Sequence, residues 1–140
     1  MSNSQGLGRT LSIDFNTAID HLTEALKTEG FGVLTNIDIQ AIMVNKIGTE
    51  MKRYRILGTC NPPLAHRAIT AEPSIGLLLP CSEVVRETGD RVRVEFMDPS
   101  AVLGWVDDDG VGASRQRFVS VWCVFGTVWG HDNHRNEKLR

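Results

Sequence analysis

The sequence is poor in aromatic residues, which make up 6% of 140 positions, with a single tyrosine. It carries three cysteines (Cys60, Cys81 and Cys123), an odd number and too few for a disulfide framework, so a stapled secreted scaffold is excluded. No basic excess exists: 15 Lys and Arg stand against 17 Asp and Glu, a formal net charge of -2. With so little positive charge to neutralise phosphates, nucleic acid is not an expected partner. No apolar run approaches the ~20 residues that cross a bilayer, so no membrane is expected either. The polar stretch from Met1 to Gly8 has neither a charged n-region nor an apolar h-region, and the expectation is a cytoplasmic protein with reduced thiols. Internal repeats, phosphate loops, dinucleotide fingerprints and Ser-His-Asp order are all missing.

What is present is ordinary globular composition, 41% hydrophobic and 23% charged, in a length suited to one domain. Leu7 to Ile13 alternates as a strand would. Phe15, Ala18, Ile19, Leu22, Ala25 and Leu26 then recur at helical spacing, with Asp14 or Asn16 as cap and Gly30 as terminator. Phe31 to Ile37 reads as a strand. Asp38 opens a short helix that is expected to turn Ile39, Ile42, Met43 and Ile47 inward and to stop at Gly48. Tyr54 to Cys60 is a further strand. Asn61-Pro62-Pro63 starts a third helix with Leu64, Ala68 and Ile69 facing the core, ended by Glu72-Pro73. The apolar run Ile75 to Cys81 reads as a strand buried on both faces. Glu83 to Arg86, the turn Thr88-Gly89-Asp90 and Arg91 to Met97 form a hairpin, with Val92, Val94 and Phe96 pointing one way. Strands paired in hairpins with intervening helices imply an α+β class, the helices gathered on one sheet face. Residues 1–106 are read as a single domain, and 107–140 as an atypical segment.

That last segment, with the residues just before it, holds all three tryptophans (Trp105, Trp122, Trp129), and Phe118 to Trp129 is dense in valine and aromatics without a helical stripe. Propensity favours a strand there. Three weaker signals carry no site. Asp107-Asp108-Asp109-Gly110 lacks the ligand spacing and terminal Glu of a calcium loop. His131 and His134 sit in a polar tail, and Lys52, Arg53 and Arg55 around Tyr54 read as a solvated strand face.

The chemistry-bearing candidates are Cys60, His66 and Cys81. Cys60 ends a strand directly before a proline-initiated helix, where backbone N–H groups and the helix dipole lower a thiol's pKa. His66 lies six residues on, and Cys81 closes the apolar run. Converging, the three would form a thiol site, with Cys60 as thiolate, Cys81 as resolving partner and His66 as base. The same trio is a metal-binding alternative, although Cys-x5-His with a distant Cys matches no standard zinc signature. Against both stands the habit of cysteine to pack as a small apolar filler. Asn61, His66 and Arg67 form a candidate anion-binding set, against which Asn61 reads as a plain helix cap. No cofactor is identified by any of these residues.

Three runs go further together: Gly30-Phe31-Gly32-Val33-Leu34-Thr35, Tyr54 through Ala68 (YRILGTCNPPLAHRA), and Ile75 through Cys81 with Val84-Val85-Arg86-Glu87. Over residues 7 to 103 the chain resembles the bacterial and archaeal domain of unknown function 302 family. The resemblance implies a small α+β domain similar to the TATA-binding-protein-like fold, a curved antiparallel sheet backed by helices, and a homodimer. It implies no activity. Family members typically finish with an amphipathic helix rich in Ala, Leu, Glu and Arg, a pattern absent from Val111 to Trp129. A reading-frame change near Asp107 to Val111 would account for that departure, as would a tail that pairs with the sheet or with a second subunit. The functional expectation is a dimeric domain with a small-molecule ligand near Cys60, His66 and Cys81; the alternative is a thiol-dependent or redox enzyme, or a metal-binding protein, at the same place.

Overall fold

The computed structural model describes residues 6–97. The elements follow in the order β1 (Gly6–Leu11), α1 (Phe15–Thr28), β2 (Gly32–Asp38), α2 (Ile39–Ile47), β3 (Tyr54–Cys60), α3 (Pro62–Ala71), a 3-10 helix (Pro73–Leu78), β4 (Cys81–Thr88) and β5 (Arg91–Met97). The expectations for Trp105, Asp107 to Gly110, Phe118 to Trp129, His131 and His134 lie outside the described residues.

α1 forms where its apolar positions recur every three to four residues, and Phe15, Ala18, Leu22, Ala25 and Leu26 are all buried. Asp14 caps it, its carboxylate accepting from the N–H groups of Asn16 at 3.0 Å and Thr17 at 3.2 Å. At the other end Gly30, at φ 82°, turns the chain so that Phe31 N–H reaches the Leu26 carbonyl at 2.9 Å. Asp38 caps α2 in the same manner, and Gly48 ends it.

The five strands form one antiparallel sheet in the order β1-β5-β4-β3-β2, with β4 in the middle and β2 on an edge. β4 and β5 are a tight hairpin, Thr88 facing Arg91. Leu57, Cys81, Val85, Val92, Val94 and Phe96 join the buried face of α1 in the main core. A smaller cluster joins Ala68 of α3 to Ile75, with Leu79 packed between it and the main core. The other sheet face is polar in part. Arg86 Nε donates to Glu95 Oε1 at 2.6 Å, and Arg93 Nη1 donates to Thr10 at 3.0 Å.

Three sequence expectations change. The run Ile75 to Leu79 is not a strand: Pro73–Leu78 is a 3-10 helix, capped by the Glu72 carboxylate at the Ser74 N–H, and β4 begins only after Pro80. A short apolar run without a period fits either state, and Pro73 with Ser74 favours the helical turn. In α2 no residue is buried, and Ile42 and Ile47 point outward rather than into the core. Ile69 of α3 is likewise exposed, while Ala68 faces inward as expected; of Leu64 only the backbone is described.

Candidate functional site

Strand register decides where the cysteines go. Cys81, the first residue of β4, stands opposite Thr59, whereas Cys60 stands opposite Gly32 on the other side of β3. Successive residues of a strand face opposite ways. Cys81 therefore shares the core face with Thr59, and Cys60 shares the other with Gly58 and Ile56. The two strand ends lie side by side at one end of the sheet, but the two thiols do not share a face. His66 is exposed on α3, apart from the buried Cys81. The expected convergence of Cys60, His66 and Cys81 is thus divided among three environments.

The thiols are also shifted in the unreactive direction. Burial raises the Cys60 pKa, so the lowering expected from its place before α3 is not realised. Cys81 is pushed up to about 12, chiefly by burial, then by the charges of Glu83 and Cys60. Both cysteines are free thiols. Among the described residues no three of His, Cys, Asp and Glu stand together in a way that would hold a metal ion.

The anion-binding set fares similarly. Asn61 is buried, with its amide turned back to donate to the Glu29 carbonyl at 3.4 Å, against the end of α1. Gly30 leaves the room this needs, since a Cβ there would stand 3.0 Å from the Asn61 amide nitrogen. His66 and Arg67 are exposed on α3. Asn61 thus ties two helices together.

A residue that sequence reasoning missed is the most unusual in the domain. Glu83 lies in the central strand on the core face, with 0% exposure. The Thr59 hydroxyl donates to Glu83 Oε1 at 2.8 Å, and the Cys81 carbonyl lies 3.5 Å from the same hydroxyl. Glu83 Oε2 has no hydrogen-bond partner. Burial pushes the carboxyl up to about 8, against the opposing effect of the Thr59 bond. The signal was in the pattern: Cys81, Glu83 and Val85 occupy alternate positions, so burying the first and last commits the middle one.

No curated protein matches the chain. Among solved structures, an uncharacterized conserved DUF302 protein from Bacillus stearothermophilus is similar, with 25% sequence identity and a TM-score of 0.76. The match covers 86% of this chain and 98% of that one. No helix among the described residues is long and apolar enough to cross a membrane. Residues 7–119 match the family model described as domain of unknown function DUF302, and with the sheet, helices and register above, the chain belongs to that family.

Proposed function

We propose that the protein is a non-enzymatic domain that works as a homodimer through β2 and α2. The observation that carries this reading is α2 itself. Six of its nine residues are apolar (Ile39, Ala41, Ile42, Met43, Val44 and Ile47), yet none is buried. A helix that is apolar all round belongs under a cover. Ile47 is 66% exposed and Val44 45%, and Leu34 and Ile37 of β2, the strand that leads directly into α2, are exposed as well. Among the described residues β2 is also a sheet edge, whose outward N–H and C=O groups suit pairing with another strand. An isologous contact uses the same patch on both copies, so one surface meets the need of each. The ligand pocket expected around Cys60, His66 and Cys81 forms no part of the proposal, because its members divide among the outer face of β3, the surface of α3 and the core. The thiol-enzyme alternative is left without support by two thiols raised rather than lowered.

Light scattering on the full chain across micromolar concentrations tests the proposal. A dimer mass that falls to monomer in V44D and I47D, with helical and strand content kept, supports it. A monomer at every concentration refutes it.

A further inference from the structure

Glu83 is enclosed on every side by the core. Its strand neighbours are Leu57 and Phe96, directly across in β3 and β5, and Cys81 and Val85 stand beside it on the same face of β4. α1 packs over the sheet with Ala18, Leu22, Ala25 and Leu26 buried, while its ionisable Asp20, His21, Glu24 and Lys27 are exposed. By register three charged residues stand on Glu83's own face further along the sheet: Arg9 of β1 opposite Val94, Arg55 of β3 opposite Val85 and paired with Asp38, and Glu87 of β4 opposite Val92 and paired with Arg53. Arg93 and Glu95 of β5 belong to the opposite face, alternating with Val92, Val94 and Phe96. The charge of Glu83 acts on a thiol, Cys81 on its own strand, which also feels Cys60 at the end of β3. One carboxyl oxygen has Thr59 and the other has nothing. A fully buried carboxylate with one donor and one orphaned oxygen is short of donors, and its charge is costly there.

We propose that Glu83 is a proton-operated latch: as the neutral acid it keeps β4 seated under α1 with Cys81 enclosed, and release of its proton to solvent opens this packing and exposes the Cys81 thiol. The raised ionisation of Glu83, to about 8, supports the assignment, as does the effect of its charge on Cys81. The latch does not depend on the homodimer reading, since Glu83 is enclosed within one copy.

The test is the pH dependence of Cys81 labelling by N-ethylmaleimide in the full chain, with Cys60→Ser and Cys123→Ser making it the sole thiol. An opened thiol labels tenfold faster per pH unit below its ordinary pKa of ~8.5, because only thiolate reacts. If opening also requires loss of the Glu83 proton, a second tenfold per unit is added up to about pH 8. The expected slope is close to a hundredfold per unit between pH 6 and 8, and tenfold when Glu83→Gln is added. Equal slopes with and without Glu83→Gln overturn the proposal. A second measurement needs no variant: the infrared band of a protonated carboxylic acid, present at pH 6 and lost by pH 10, supports it. Absence of that band at pH 6 overturns it.

Discussion

Thr59 and Glu83 meet diagonally across β3 and β4: Thr59 is paired with Cys81 and Glu83 with Leu57, yet the Thr59 hydroxyl reaches Glu83 Oε1 at 2.8 Å in the middle of the core. One side-chain bond thus serves a fully buried acid, and its removal is costly. Thr59→Val should destabilise the domain by about 1–3 kcal/mol, the desolvation cost of an unpaired buried group. Chemical denaturation measures it. The double variant Thr59→Val with Glu83→Leu should recover much of that loss, because both partners are then apolar; equal or greater destabilisation in the double variant would contradict the account.

The stability of the unaltered chain should fall on the alkaline side. Glu83 binds its proton more tightly folded than unfolded, since burial pushes its pKa up to about 8 from an ordinary value near 4.5. Its favourable contribution is complete below about pH 4.5 and is lost progressively as pH rises to about 8. Within that window the slope is about 1.4 kcal/mol per pH unit. Cys81, pushed up to about 12, continues the same trend above pH 9. Urea midpoints between pH 5 and 9 should decline, and Glu83→Gln should flatten the lower part of that decline. A rising or flat midpoint in the unaltered chain would rule this out.

Gly58 is needed for space. A Cβ at that position would stand 2.4 Å from Thr35 Oγ1 and 2.8 Å from Pro80 Cγ, closer than side chains tolerate. Gly58→Ala should therefore cost about 1–3 kcal/mol through overpacking. Gly32→Ala is the control, since a methyl added there meets no atom within 4 Å and its φ is not left-handed. Thermal melts of the two should separate clearly, with Gly32→Ala neutral or slightly stabilised.

Asp14→Ala removes the acceptor for two helix N–H groups at the start of α1. The expected loss is about 1 kcal/mol, read as a fall of a few degrees in Tm. Asp14→Asn keeps an acceptor oxygen and should recover most of it.

How much of this is legible in the residues alone differs by element. α1 can be read nearly in full, because its buried positions and its Gly30 stop follow from spacing and residue type; Ile19 is only partly buried, and of the two cap residues Asp14 and Asn16 it is Asp14 that caps. The β4–β5 hairpin is legible for the same reason: Val92, Val94 and Phe96 alternate, and all three are buried. Ile75 to Leu79 is not, since five residues of one character carry no period to distinguish strand from helical turn. Ile42 and Ile47 of α2 mislead because an apolar residue marks a surface to be covered without saying what covers it. The expected thiol site fails on parity. Cys60 and Cys81 do stand at the ends of neighbouring strands at one end of the sheet, but the direction each thiol faces depends on register, which the local sequence does not specify. Glu83 is hidden by its own charge, which reads as a solvated position until the valine two residues on is known to be buried.

The strand order has a temporal consequence. Among the described residues β1 pairs with β5 alone, Gly6 against Met97, so this strand has no mate there until the β4–β5 hairpin exists. As the chain leaves the ribosome from its N-terminus, β1 must wait unpaired through the synthesis of the elements between, while the α1 stripe can already pack on Phe31, Leu57 and Val85. Folding of this sheet is thus a late event, completed when β5 slots between β1 and β4, and a nascent chain arrested before residue 91 would display β1 and the bare side of β4 to whatever chaperone is at hand.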